Sequence, residues 1–329
     1  MLRVCIIGGS GHYRYVLEGL DEHARLVGFA PGSDGEDISK LAAAIADRNI
    51  DAGAFEDWQS MLDNCQPDVV AVNCHFGDHA EINVACLQRG LHVFSEKPVA
   101  TTLEDLAAVR EAHRASGKCF SAMFGIRYKP WFLAAHAAVK SGRIGEIRLI
   151  QVQKSYKLGT RPTFFANRKT YGGTIPWVGS HAIDWVRWIS GEEFKSVFAV
   201  QSSQHNHDNG QLEVSAQCQF TLGKEICASV SIDYLRPATA NSHDDDRIRI
   251  VGTEGVLEVR EKNVLLIDGK TEGVQVLDLP PEKSIFTQFI DEVCGSGKCM
   301  ISADDAFAIT RASLLARQSA DAGKLISFG

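Results

Sequence analysis

Apolar and polar positions along the 329-residue chain fall into two regimes. In the first third, short apolar runs alternate with longer stretches whose apolar residues recur every three or four positions. The runs are "RVCIIG" (3–8), "ARLVGFA" (24–30), "DAGAFED" (51–57), "PDVVAVNC" (67–74), "HVFSEKP" (92–98) and "CFSAMFG" (119–125). Helical patterns lie between them at 13–23, 37–49, 58–65, 78–90 and 102–117. Asp37 is placed to cap the second helix and Thr101 or Thr102 the last, while Gly90 stands where a helix terminates. Continuous apolar runs suit strands buried on both faces, and strands separated by helices predict a doubly wound parallel sheet.

After about residue 125 the period becomes two. "EIRLIQVQKSY" (146–156), "FKSVFAVQSS" (194–203), "EVSAQCQFTL" (213–222), "EICASVSIDYL" (225–235), "RIRIVGT" (247–253) and "GVLEVREKNVLLIDG" (255–269) alternate apolar and polar residues. Alternation of this kind predicts strands with one covered face, in an open and largely antiparallel sheet. Helical patterns at 130–142 and 180–191 flank it, and two more close the chain at 284–296 and 303–321. The expected architecture is an α/β chain of two domains, 1–122 and 123–329.

Composition narrows the function more than the fold. A net charge of −7 with no Lys/Arg-rich run gives no electrostatic footprint for nucleic acid. No apolar stretch reaches the roughly 18 residues that a membrane span needs, and the N-terminus enters a strand pattern without a leader-like segment. The nine cysteines are scattered and form no C-x-x-C pair, which fits a reducing compartment and a cytoplasmic location. His205, His207 and Asp208 in "QHNHDNG", and His243 beside Asp244, stand at metal-ligand spacing. Turn chemistry accounts for both stretches, so no metal is expected.

Between the first strand and first helix stands "GGSGHY" (8–13). A Gly-rich turn there lets backbone approach a pyrophosphate at a helix N-terminus. Gly8, Gly9, Ser10 and Gly11 keep the turn small, although Tyr13 occupies the place of the third glycine of G-x-G-x-x-G. The second strand ends "GFAPGSDGED", without the carboxylate that ordinarily accepts ribose hydroxyls at a strand end. Ser33 could donate to a hydroxyl or to a 2′-phosphate, so NAD and NADP both stay open. Lys97 ends the fifth strand, facing the ligand crevice of such a sheet, and a lysine there can hold a substrate hydroxyl and share its proton. A lysine paired with Glu96 at a strand end is the structural alternative.

"GLHVFSEKPVATTLEDL" (90–106) resembles the E-K-P segment of the glucose–fructose oxidoreductase / inositol dehydrogenase (Gfo/Idh/MocA) family. Similarity continues through "NCHFGDHAEINVACLQRGLHV" (73–93), "SGRIGEI" (141–147), "GGTIPWVGSHAIDWVRWISG" (172–191) and "DDRIRIVGTEGVLEV" (245–259). The resemblance implies a Rossmann domain and a second α/β domain that binds substrate and associates through its sheet, as a homodimer or homotetramer. It further implies NAD(P)-linked chemistry on a sugar, polyol or glycoside, with Lys97 as the catalytic lysine. Cys74, His79 and Glu96 would then join the Gly-rich turn and Ser33 at the cofactor. His181, with Asp184 three residues on to orient it, would be a second proton-handling group. Many relatives carry an aspartate four residues before this histidine, where this chain has Trp177. That residue becomes a candidate stacking surface for a sugar ring, with Tyr156, Arg161, Arg168 and His243 as further candidates near substrate, and Tyr156 or Tyr171 as a tyrosine that could assist the proton relay. Two rivals follow from the same residues: transient oxidation that enables elimination or glycoside cleavage with retained NAD, and a binding protein without turnover.

Overall fold

The computed structural model describes residues 1–329. Its contacts divide the chain into two units. One comprises Met1–Gly125, Lys169–Gly172 and Ser284–Thr310; the other comprises Ile126–Arg168, Gly173–Lys283 and Arg311–Gly329. A single boundary near residue 122 therefore leaves out two later segments of the first unit. Aromatic packing explains why the longer of them, 284–310, belongs there. Phe286 and Phe289, on the helix Ile285–Cys294, pack with ring centroids 5.4 and 5.2 Å from that of Phe94, and Phe307 lies 5.2 Å from Phe120.

The first unit carries six parallel strands, β1 (Leu2–Ile7), β2 (Ala24–Ala30), β3 (Gly53–Ala54), β4 (Val69–Val72), β5 (His92–Ser95) and β6 (Phe120–Ala122), in the order β3-β2-β1-β4-β5-β6. Val4–Ile7 and Val69–Val72 are wholly buried, as continuous apolar runs in a covered parallel sheet must be. Chain direction across the sheet reverses between β1 and β4, and ligands of open α/β sheets bind beyond the strand C-termini at such a switch point. The first helix covers only Arg14–Glu18 and stops at Gly19, well short of the 13–23 pattern. The other expected helices form at Ser39–Ala46, Trp58–Cys65, His79–Gln88 and Leu103–Ser116. The N-cap of Ser39–Ala46 is Ile38 rather than Asp37, which sits one residue earlier and accepts from the Ser39 amide (2.8 Å); Thr102 rather than Thr101 caps the last helix, accepting from Asp105 N at 3.0 Å.

The second unit carries nine strands, β7 (Ile147–Tyr156), β8 (Phe194–Ser202), β9 (Ser215–Leu222), β10 (Cys227–Asp233), β11 (Asp244–Gly252), β12 (Gly255–Arg260), β13 (Asn263–Asp268), β14 (Gln275–Val276) and β15 (Ile326–Ser327). Their order is β14-β13-β12-β11-β7-β10-β9-β8-β15, antiparallel except for β7 beside β10. The run 255–269 is two strands, not one. Glu261 and Lys262 take the left-handed backbone of a tight hairpin turn (φ 52° and 64°) without the glycine that usually signals it. Ile150, Val152 and Lys154 alternate along the covered face of β7, against the helix Ser180–Ser190. No helix is long and apolar enough to cross a membrane.

Candidate active site

In the first unit, backbone hydrogen bonds knit together the ends of the four strands β2, β1, β4 and β5. The Gly8 amide donates to Ala30 O (2.8 Å), Ser10 N to Asn73 O (2.8 Å), Asn73 N to Ile7 O (2.6 Å) and Glu96 N to Val72 O (2.7 Å). The turn 8–11 is therefore bound directly to the end of β4. A Cβ on Gly8, whose φ is +84°, would lie 2.4 Å from Cys74 backbone. One on Gly11 would lie 2.6 Å from a Glu96 oxygen. Both positions need glycine because neighbouring chain comes too close for a side chain.

Glu96 is fully buried at the centre of this network. Its Oε2 accepts from the His12 amide and faces His12 Nδ1, each at 2.6 Å, while Oε1 accepts from Lys97 N at 2.7 Å. Burial alone would raise its carboxyl pKa, but His12 and the Lys97 charge outweigh that and hold it below the usual range. Lys97 is 1% exposed, and its peptide bond to Pro98 is cis. His79 braces the same segment, with Nδ1 2.8 Å from Pro98 O and Nε2 3.1 Å from Cys74 O. Burial depresses its pKa and keeps the ring neutral. A neutral imidazole has one N–H, which we assign to the shorter contact with Pro98. Burial likewise pushes the Cys74 thiol well up, so it lines the site as a small apolar group.

These residues suit a dinucleotide. The Asn73 side chain is wholly buried, and neither its amide oxygen nor its nitrogen has a hydrogen-bond partner. Buried polar groups are ordinarily satisfied, so an orphaned amide at the end of β4, beside a Gly-rich turn, fits a polar ligand there. Sequence reasoning passed over Asn73 in favour of Cys74, although a polar residue ending an apolar strand was the available signal. His12 was passed over too.

At the adenosine end the Ser33 hydroxyl accepts from His75 N at 3.0 Å, which leaves its own proton to donate. A carboxylate also stands among these loops, Glu36, six residues past Ala30. Its Oε1 accepts from Gly9 N (2.9 Å) and Ser10 Oγ (2.5 Å), and its Oε2 from Gly32 N (2.9 Å) and Ser33 N (3.3 Å).

In the second unit, a π-helical turn at Ile175–Gly179 leads into Ser180–Ser190, which places the buried His181 in the first turn of that helix. Asp184 follows one turn later. Its carboxylate is gripped by Arg127, through Nε at 2.9 and 3.0 Å and Nη2 at 2.5 Å. Both side chains are buried, so the group expected to orient His181 is half of a buried ion pair. A second such pair was not foreseen. Lys154 Nζ lies 2.6 Å from both oxygens of Asp246, with the rings of Tyr156 and Trp185 at 4.4 and 5.5 Å. Both were hidden because alternation marks a position as covered without saying that its occupant is charged.

The substrate candidates divide. His243 stacks on Tyr156 at 5.0 Å, and burial depresses its pKa. Arg161 lies 4.4 Å over the Tyr234 ring, donates to Lys157 O, and keeps a buried Nε without a partner. Arg168 is committed elsewhere: its guanidinium binds Asp321 at 2.7 Å and also Glu213, clamping the loop as a structural tie. Trp177 is only 9% exposed and meets Phe165 edge-on, so little of its face is open for a sugar ring. Tyr171, in the first unit, packs on Phe76.

Comparison with known proteins places these features in context. Residues 2–124 match the family profile described as "Oxidoreductase family, NAD-binding Rossmann fold", and residues 132–258 match the GFO/IDH/MocA C-terminal domain. An inositol 2-dehydrogenase of Salmonella typhimurium is 29% identical over 168 residues, covering 50% of this chain and 48% of that protein. The chain thus matches about half the length of that relative. A solved oxidoreductase structure from Thermotoga maritima is 49% identical, with a TM-score of 0.97 over 99% of this chain and 100% of that one. A levoglucosan dehydrogenase solved with NADH shares the fold at a TM-score of 0.83 and 18% identity, over 100% of this chain and 99% of that one.

Proposed function

Because the chain belongs to the GFO/IDH/MocA family of oxidoreductases, we propose that it is an NAD(P)-linked dehydrogenase of a sugar or polyol secondary alcohol. The observation that carries this reading is Lys97. It is a buried lysine two residues beyond β5, in the same knot of strand ends as the Gly-rich turn and the orphaned Asn73 amide. Nicotinamide, when bound, supplies the hydride acceptor or donor. The Gly8–Gly11 turn would hold the pyrophosphate of the dinucleotide and Asn73 a polar group beside it, and Glu96 fixes the turn by accepting from both His12 and Lys97 backbone amides.

In the oxidising direction Lys97 acts as the neutral amine, taking the proton of the substrate hydroxyl and becoming ammonium, and in the reducing direction the ammonium returns that proton to the carbonyl oxygen. On the family resemblance we assign His181 the role of second proton-handling group, with Asp184, held by Arg127, as the carboxylate that orients it. The chemistry of the relatives, named for inositol and levoglucosan, directs the choice of substrates. The test incubates the protein with NAD or NADP and a panel of inositols, aldoses and levoglucosan, following absorbance of the reduced nicotinamide. Formation of reduced cofactor with at least one polyhydroxylated substrate is expected; none with any member would overturn the reading.

A further inference from the structure

We propose that the substrate carries a carboxylate and that Arg161 binds it, so that this chain oxidises or reduces a sugar acid. The inference rests on the dehydrogenase reading and adds to it the charge class of the substrate. Arg161 stands in the loop just past β7. Its guanidinium lies 4.4 Å over the Tyr234 ring and 5.5 Å from that of Phe165. Stacking covers the face of the plane and leaves its edge, where the N–H groups point. Of the five N–H groups of an arginine, one donates within the protein, from Nη2 to Lys157 O at 3.0 Å. The buried Nε has no partner, and no carboxylate pairs with the charge. By contrast, Arg127, Arg143, Arg168 and Arg236 of the same unit each hold an aspartate or glutamate.

The neighbours of Arg161 set the kind of anion. Tyr156 and His243, stacked at 5.0 Å, make no side-chain hydrogen bond within the protein. Burial raises the Tyr156 phenol well above its usual pKa and depresses that of His243, so both stay neutral and can donate. The charges acting on this pair are Arg161, Lys154 and Lys157 against Asp244 and Asp246. Lys154 and Asp246 cancel at 2.6 Å, and one positive charge is left over. A carboxylate monoanion neutralises it through charge-assisted hydrogen bonds, whereas a phosphate dianion would stay half-compensated. Both sides of the cluster reach the helix that carries His181. Phe165 meets Trp177, in the turn before that helix, edge-on at 6.5 Å. Lys154 lies 5.5 Å from the ring of Trp185, one turn after His181. An acid anchored at Arg161 is therefore held by residues packed against the helix assigned to proton handling.

Assays of the whole protein with NAD and NADP test this, comparing glucuronate, galacturonate and gluconate with the neutral amide of each acid. Each pair keeps the carbon skeleton and removes only the charge. Wild type should favour at least one acid over its amide by about 10- to 100-fold in kcat/KM, the scale of a charged hydrogen bond. Arg161→Met should erase that ratio, chiefly through KM, because the contact is made before and during hydride transfer alike. Dinucleotide reduced as readily with the amides as with the acids overturns the inference and leaves the dehydrogenase reading standing. An acid preference that Arg161→Met leaves intact overturns it too, since another cation would be reading the charge. No reduction with any acid, amide or neutral polyol overturns the dehydrogenase reading. Calorimetric titration of wild type with glucuronate and with glucuronamide then decides the carboxylate site: tighter binding of the acid supports it, and equal or weaker binding refutes it. Should Arg161→Met not fold, the wild-type ratio of acid to amide decides alone.

Discussion

Lys97 is the residue on which the chemistry turns, and its two readings make different predictions. A proton-transfer group that is removed costs about 100-fold or more in turnover, whereas a lysine serving only as an ion-pair partner costs stability. Lys97→Ala should therefore cut turnover by about 100-fold or more while the variant still folds and melts cooperatively. Steady-state kinetics beside a thermal melt separates the cases, and an unfolded or fully active variant would refute the role. The E-K-P segment made Lys97 legible in the sequence. Glu36 was not legible, because it reaches the ribose loops through a turn rather than from the end of a strand. Asn73 was legible only in principle, as a polar residue closing an apolar run.

At the level of single elements, apolar period settled most of the fold. Continuous runs gave the parallel sheet and alternation gave the open one. What failed was punctuation: the helix after the Gly-rich turn ended early at Gly19, and the hairpin at Glu261–Lys262 carried no glycine to announce it. Charges beneath the second sheet were equally silent. The Arg127–Asp184 pair shows why that matters for function. Removing one partner of a buried ion pair strands the other's charge, at a cost of about 3–5 kcal/mol. Asp184→Ala should lose stability on that scale, measured by chemical denaturation. Arg127→Met combined with Asp184→Leu should recover much of it, since apolar replacement of both partners leaves no stranded charge. If Asp184→Ala were instead fully stable and merely inactive, orienting His181 would be the carboxylate's only role.

Across the whole molecule, several histidines are held neutral by burial. The pKa values of His79, His92, His113 and His243 are depressed, and that of His136, stacked on Trp188, is pushed down to about 4. In each case the unfolded chain, with a histidine pKa of about 6.5, binds the proton more readily. The stabilisation is complete above that value and is lost as pH falls toward the folded pKa. Glu96, whose folded pKa is also depressed, contributes fully above about 4.3 and is lost further into acid. The melting temperature should thus be flat between about pH 7 and 8 and fall continuously below pH 7, with a shallower first decline in His79→Asn. A melting temperature that rises between pH 7 and 5 would contradict this.

Hydride transfer at a carbinol carbon is the central claim, and isotope placement tests it most directly. The substrate identified by the panel is prepared with deuterium on that carbon and turned over with the oxidised dinucleotide, and the cofactor is examined by mass spectrometry. The account predicts one deuterium on the nicotinamide of the reduced cofactor for each substrate oxidised. Substrate converted while the dinucleotide stays oxidised and unlabelled, with the deuterium in product or solvent, would contradict it.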